Sequence, residues 1–365
     1  MTINSLTVSN CRIISHTEIK PSPNFNLVYG HNGSGKSTLL EAIYLLGTGR
    51  SFRSNLISSI IKKGESSLVV SAKVKTQSGQ EITVGMERGK NLNRLHINRS
   101  PIQRLSEAAE LLPTQIITPD SINLVMGSPR GRRSFLDWGM FHVERSFLST
   151  SKNYKKTLRQ RNALLKRKEL SNNEILYWNQ ALSDYGEMIT TGRVNYLGEV
   201  VRHYRDNLFG TLASLSDMNI EFDYRRGWRD SITLHEALEQ TANREKIVGH
   251  TVVGPHEADL VIKSRDGSAK NILSRGQAKL LSVGLYLSQL SHLYEKTGKR
   301  GVVLVDDLFS EMDRKNSMAI LDYLISSGYQ VFATTTEGGS PCFDGRGVKM
   351  FHVEHGEILN RSNQH

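Results

Sequence analysis

The sequence predicts an α/β fold, and three stretches carry that prediction. Gly30-His31-Asn32-Gly33-Ser34-Gly35-Lys36-Ser37 stands between the apolar run Asn26-Leu27-Val28-Tyr29 and a helical pattern from Thr38 to Leu46. Gly301-Val302-Val303-Leu304-Val305-Asp306-Asp307 reads as a buried parallel strand ending in two acids. Between them, from Ser134 to Gly210, strand-like runs all but vanish, and Leu, Tyr, Trp and Phe recur at three-and-four spacing. A strand, glycine loop and helix followed by a distant acidic strand are parts of a helix-covered parallel sheet, here interrupted by a helical lobe.

The glycine loop comes first. Three glycines in six residues let the backbone wrap its N–H groups around a phosphate, Lys36 reaches outer phosphates, and Ser37 offers an oxygen to magnesium. The helix that starts there adds the positive end of its dipole. Gly30, His31, Asn32, Gly33, Ser34, Gly35, Lys36, Ser37 and Thr38 are therefore the expected nucleotide-binding residues. A glycine-rich surface turn with a stray lysine would not sit between a buried strand and a buried helix.

Around this loop, Ile3 to Val8 alternates as an edge or near-edge strand, and Asn24 to Tyr29 feeds the loop. Gly47 to Arg53 is a turn-rich basic patch. Ser67 to Lys75, Ile82 to Glu87 and Leu92 to Ile97 read as an antiparallel subsheet, with Arg88, Lys90, Arg94 and Arg99 either solubilising its hairpins or touching a nucleotide base or nucleic acid. Glu107 to Leu112 suits a short helix and Thr114 to Thr118 a short strand. Two prolines and two glycines between Pro119 and Gly131 mark a domain boundary. The expected divisions are 1–130, 131–248 and 249–365.

In the helical lobe, Lys152, Lys155, Lys156, Arg159, Arg161, Lys166, Arg167 and Lys168 form a run of eight cations without an acid, either a solvated face or a nucleic-acid stripe. Met218 to Arg225 reads as a strand, Thr233 to Lys246 as a helix and Thr251 to Val253 as another strand, while His256 reads as a structural turn histidine. Leu273-Ser274-Arg275-Gly276-Gln277 opens a long helix, so its serine and glycine make a second anion-binding corner. Carboxylates at a strand's carboxyl edge, Asp306 and Asp307, are placed to hold magnesium or polarise water.

Composition narrows the partners. The 365 residues carry 47 Lys and Arg against 36 Asp and Glu, a net charge of +11 that favours a polyanion. Two cysteines, Cys11 and Cys342, support neither a disulfide scaffold nor a Cys-ligated zinc and suit a reducing cytoplasm. No apolar run approaches membrane-spanning length, and the N-terminus lacks a signal core. No membrane partner is expected.

Roughly 270 residues separate Lys36 from Asp306, with a helical lobe and a Ser-x-Gly-Gln corner between. That order resembles an ABC-type ATPase head. The blocks Pro119 to Asp137, Gly249 to Leu260 and Leu273 to Leu281 are similar to those of the bacterial RecF family, and the likeness runs from Ser5 to near Glu357. The resemblance implies an α/β ABC-type P-loop ATPase head with an antiparallel subsheet and inserted helical lobe but no long coiled coil. It makes Gly30 to Ser37 Walker A and assigns magnesium to Ser37 and Asp306. It makes Asp307 the hydrolytic residue, Ser274, Gly276 and Gln277 the signature acting across a dimer, and Gln115 the best-placed Q-loop glutamine, with Asp313 in the loop between sites. Lys36, Ser274, Asp306 and Asp307 form the catalytic set.

The chain departs from common ABC heads at Arg275, at Asp307 in place of glutamate, and at Thr334 to Thr336 where a switch histidine is usual; Glu257 stands where the family block often has a base. An aspartate one methylene shorter suits slow hydrolysis. The resemblance implies a cytoplasmic, nucleoid-associated protein, a weak Mg-dependent, DNA-stimulated ATPase acting as a switch. ATP would close a homodimer on gapped or junction DNA, and with RecR and RecO the dimer would assist RecA loading in repair and replication restart. The rivals are an ABC transporter nucleotide-binding subunit, an SMC-type structural head and, least of all, a small-molecule kinase.

Overall fold

A computed structural model of the chain describes residues 1–167, 172–206, 215, 218–307, 313–336, 343 and 346–360. In chain order, β1 (Thr2–Cys11), β2 (Ile14–Ile19) and β3 (Phe25–Tyr29) lead into α1 (Lys36–Thr48). β4 (Ser67–Lys75), β5 (Glu81–Gly89), β6 (Asn93–Ile97) and the short β7 (Ser100–Pro101) precede α2 (Leu105–Leu111) and β8 (Thr114–Ile117). Then come α3 (Asn123–Met126), α4 (Pro129–Val143), α5 (Phe147–Leu165), α6 (Asn172–Tyr204), β9 (Glu221–Arg225) and α7 (Leu234–Val248). β10 (Asp259–Ser264), β11 (Gly267–Ser268), α8 (Ala269–Ile272) and α9 (Arg275–Thr297) follow, then β12 (Val302–Val305), α10 (Arg314–Ser326), β13 (Gln330–Thr335), β14 (Lys349–Glu354) and β15 (Glu357–Asn360).

These elements form two compact units, Met1–Ser121 with Leu293–His365, and Ile122–His292. The first holds two sheets, β2-β1-β4-β5-β6-β7 and β15-β14-β3-β13-β12-β8. Their burial patterns differ for a physical reason. All five residues of β3 are buried because both faces of the central parallel strand are covered, whereas β4 alternates because its antiparallel sheet packs one face and wets the other. Leu39, Leu40, Ile43, Leu45 and Leu46 of α1 share one core with Leu6 and Val8 of β1 and with Leu68 and Val70 of β4. Fully burying each such leucine contributes about 1.5–3 kcal/mol. Gly49, left-handed at φ 69°, ends α1 by donating its N–H to Leu45 O.

The first half of the second unit runs through three helices, α4 to α6, as the leucine and aromatic spacing indicates; α7, most of α9 and a small sheet ordered β11-β10-β9 follow. The 33 residues of α6 span about 50 Å. Residues 249–292, expected with the C-terminal part of the ATPase lobe, belong to this unit instead. β10 pairs with β9 and packs on α4, and no sequence-local signal reports either pairing.

Two expectations are corrected by a buried network in this unit. Arg161 is no part of a surface stripe: its side chain is 1% exposed and donates to Asn179 Oδ1 at 2.7 Å, Thr251 Oγ1 at 2.7 Å and Glu245 Oε2 at 2.6 Å. Lys152, Lys155, Lys156, Arg159, Lys166 and Arg167 are exposed, and Lys168 lies outside the described residues. Thr251 to Val253 forms no strand, because side chains capture the backbone groups a ladder would use: Thr251 N donates to Asn162 Oδ1 and Val252 N to Glu245 Oε1. His256 is the structural histidine expected, held between Tyr154 Oη at 2.6 Å and Thr251 O at 3.2 Å, with burial pressing its pKa down.

Candidate nucleotide site

The phosphate loop leaves β3 at its carboxyl end. Because β3, β13, β12 and β8 run parallel, the residues following the other three strands gather along the same sheet edge, where ligands of open α/β sheets bind. They border a cavity of about 370 Å³ lined by Asn32, Gly33, Gly35, Lys36, Ser37 and Thr38 from the loop, Pro119 after β8, Asp306 and Asp307 after β12, and Thr334 to Thr336 from β13 onward. Arg12, Ile13 and Arg53 complete its wall.

The loop's shape depends on glycine at two points. A Cβ on Gly30 would lie 2.2 Å from Val353 O, and Gly35, at φ 117°, occupies a backbone region that L side chains rarely adopt. Gly35 is also the N-cap of α1 and brings no capping side chain, so the first N–H groups of the helix remain available to an anion. Lys36 Nζ donates to Gly30 O at 2.7 Å and His31 O at 2.9 Å, which poises the ammonium over the loop. Burial lowers its pKa, while Asp306 and Asp307 pull the other way.

Asp306 is fixed by two hydroxyls. Ser37 Oγ donates to Asp306 Oδ1 at 2.8 Å, and Thr334 Oγ1 donates to the same oxygen at 2.8 Å. The Ser37 oxygen keeps lone pairs for a cation while its hydrogen is directed at the carboxylate. Thr334 Oγ1 in turn accepts the Asp307 N–H at 2.7 Å. Asp307 is left-handed at φ 55°, a conformation costing about 1–2 kcal/mol for a residue with a Cβ, and this hydrogen bond offsets part of that cost. One threonine therefore orients both acids. The donor set, a glycine cradle with unpaired helix N–H groups, an ammonium, a hydroxyl and two carboxylates, fits a magnesium-bound nucleoside triphosphate.

Sequence reading missed Arg12, Arg53 and the individual role of Thr334. Glu41, fully buried inside α1, takes a bidentate contact from Arg12 and the hydroxyl of Ser51. Ser51 Oγ accepts from Arg53 N and Ser54 N, so one buried carboxylate anchors both cationic walls of the cavity. A buried acid in the helix after a phosphate loop is the signal that could have found them. The hairpin of β14 and β15 was also missed; Gly356 N donates to Ser34 O at 2.8 Å and braces the loop.

Other expected residues lie elsewhere. Gln115 does not line the cavity: it sits inside β8 opposite Val303, two residues before the strand's end, buried with Oε1 unpartnered, and Pro119 occupies the wall instead. His31 contributes its carbonyl and is not a lining residue. Asp313 caps α10 by accepting from Asn316 N. Ser274, Gly276 and Gln277 belong to the second unit, whereas all the cavity's lining residues come from the first. Ser274 is exposed and forms a reciprocal cap with Gln277, accepting Gln277 N at 3.2 Å while Ser274 N donates to Gln277 Oε1 at 2.9 Å.

Among the described residues, no helix is long and apolar enough to cross a membrane. The family model for the RecF/RecN/SMC N terminal domain matches residues 2–358. The DNA replication and repair protein RecF of Shewanella denitrificans is 38% identical over 366 residues, covering 98% of this chain and 99% of its own. Its counterpart in Aliivibrio fischeri is 37% identical over 361 residues, with 98% and 99% covered. A solved structure of the recombination mediator protein RecF with ATP superposes with a TM-score of 0.88 at 27% identity, covering 99% of this chain and 98% of that one. An Smc head bound to the C-winged helix domain of ScpA shares the fold alone, with a TM-score of 0.62 at 15% identity. The α/β head with its antiparallel subsheet thus has the fold of the RecF and Smc head structures, and among the described residues its helical lobe contains no long coiled coil. The chain belongs to the RecF family, within the wider RecF/RecN/SMC group.

Proposed function

We propose that the protein is an ATP-gated DNA-binding switch of recombinational repair and replication restart. The observation that carries this reading is the 2.8 Å bond from Ser37 to Asp306 across 269 residues, which assembles a magnesium-ready phosphate cradle. Its RecF relatives are described as DNA replication and repair proteins, and a solved relative as a mediator with ATP in the RecFOR pathway. ATP is held by the loop from Gly30 to Thr38, and magnesium by Ser37 and Asp306. When bound, the ion neutralises phosphate charge. Asp307 orients the attacking water and accepts its proton on a carboxylate oxygen, slowly enough for a timing device. The signature corner at Ser274, Gly276 and Gln277 meets the γ-phosphate of a second subunit, so that ATP drives homodimerisation and hydrolysis reverses it. Gapped or junction DNA is the substrate, RecR and RecO are partners, and RecA loading is the outcome served; the site of action is the nucleoid in the cytoplasm.

The deciding experiment measures oligomeric state and gapped-duplex binding together without nucleotide, with ADP and with a nonhydrolysable ATP analogue. Dimerisation and tight DNA binding with the analogue alone are expected; identical behaviour in all three states would overturn the reading. Ser274→Arg should keep ATP binding by the monomer and lose dimerisation, because the exposed serine contacts nucleotide only in the closed form. Unchanged dimerisation would contradict the trans arrangement.

Two further outcomes separate the acids. Asp307→Asn should trap an ATP-bound dimer, since it keeps shape but cannot take a proton, and wild-type hydrolysis by it would remove the base role. Thr334→Val is isosteric but strands the Asp307 N–H. Its turnover should fall about tenfold, matching the ~1.5 kcal/mol at the upper end for one hydrogen bond. ATP affinity should hold within about threefold and Thr334→Ser should restore turnover. An equal loss of affinity and turnover would mean that Thr334 only supports the fold.

A further inference from the structure

A second cavity, of about 310 Å³, lies in the first unit and shares no lining residue with the nucleotide cavity. It opens between the C-terminal end of α1 and the hairpin joining β5 to β6, and its charged lining is Arg50, Arg88 and Lys90, with no acid among the lining residues. Arg88 is the anomaly. Its Nη2 donates to Gly49 O, its Nε is buried without a partner, and burial alone lowers its pKa, with no carboxylate pulling back. The neighbouring acid, Glu87, points to the opposite face of the strand, where it takes Ser67 and Arg94. A partly desolvated cation that lacks a counter-charge is a standing cost to the fold, and a bound anion removes it.

We propose that this cleft binds a phosphate group, held by Arg88 from within and by the exposed Arg50 and Lys90 from its rim. A guanidinium fork with a free N–H suits tetrahedral oxyanions, and the flexible rim cations supply the remaining charge. Ser51 and Ser54, also in the wall, sit in the loop fixed to Glu41, and that same loop carries Arg53 to the nucleotide cavity. The phosphate comes either from a polynucleotide backbone or from a free phosphate compound. The first source rests on the DNA-binding reading above; the second does not.

The test uses the full chain with its nucleotide cradle filled by magnesium and the nonhydrolysable ATP analogue. Wild type, Arg88→Gln and the rim variant Arg50→Gln/Lys90→Gln are compared; the rim positions are exposed, so that variant keeps its fold. In one arm each protein binds a gapped duplex across a salt series; in the other it is titrated with pyrophosphate by calorimetry. If the source is nucleic acid, both variants lose at least about tenfold in DNA affinity, and the log-log salt slope falls by about 0.9 for each phosphate contact removed. If the source is a free phosphate compound, pyrophosphate binds wild type and not the variants while DNA binding is unchanged. Equal affinities, slopes and titrations across all three proteins would overturn the proposal. A wild type that binds pyrophosphate in the cleft but no DNA in any nucleotide state would sink the DNA reading and leave the cleft standing.

Discussion

Lys36→Met is expected to lose ATP binding by at least about a hundredfold, and with it ATP-dependent dimerisation. The ammonium makes charge-assisted hydrogen bonds, each contributing roughly 1.5–3 kcal/mol, and the outer phosphates take more than one of them. Methionine has similar length and no donor. Its effect on folding should be small: the burial that lowers the Lys36 pKa outweighs the opposite pull of Asp306 and Asp307, so a neutral side chain sheds more desolvation than it loses in attraction. Nucleotide titration and sedimentation with the ATP analogue provide the check, and a thermal melt without nucleotide confirms the fold. A Lys36→Met protein that dimerised with ATP like wild type would end the assignment of Gly30 to Ser37 as the nucleotide cradle.

Arg161→Ala is expected to destabilise the second unit by about 3–5 kcal/mol, because it abandons Glu245, fully buried, without its cation. That shifts the local folding equilibrium by a factor of roughly a few hundred to a few thousand. All three tryptophans, Trp138, Trp178 and Trp228, lie in this unit, so denaturant unfolding followed by tryptophan fluorescence reads it selectively. Arg161→Met combined with Glu245→Gln should recover part of the loss, since the neutral amide keeps an oxygen for the Val252 N–H and leaves no buried charge without its partner. A mild effect of Arg161→Ala, within about 0.5 kcal/mol as for an exposed cation, would return the residue to the surface stripe.

Legibility followed the range of each interaction. The phosphate loop was plain because its three glycines act within one turn, and the acidic strand because a run buried on both faces announces a central parallel strand. β4 was read to the residue from its alternation. Thr334, Arg12 and Arg53 were missed because each gains its role from a partner on another element: Asp306, Glu41 or the loop that Glu41 anchors. The strand of Gln115 was read to within one residue of its end, but Gln115 lies two residues inside that end and Pro119, beyond it, forms the wall. Arg161 was misread for a different reason. Tyr154, Thr157, Leu164 and Leu165 mark the buried face of α5, and Arg161 falls on it by helical spacing, but a cation among cations was read by charge instead of by period.

The parallel sheet imposes an order on how this chain is made. β3, which carries the phosphate loop, is flanked on both sides by strands from far downstream, β13 and β14. At about 5–20 residues per second, the roughly 300 intervening residues keep the ribosome busy for some 15–60 seconds. Throughout that interval β3 has both edges open, and the loop lacks Asp306 and the bracing Gly356. The nucleotide cradle is therefore a late product of synthesis, assembled after the intervening helical unit has had time to fold on its own.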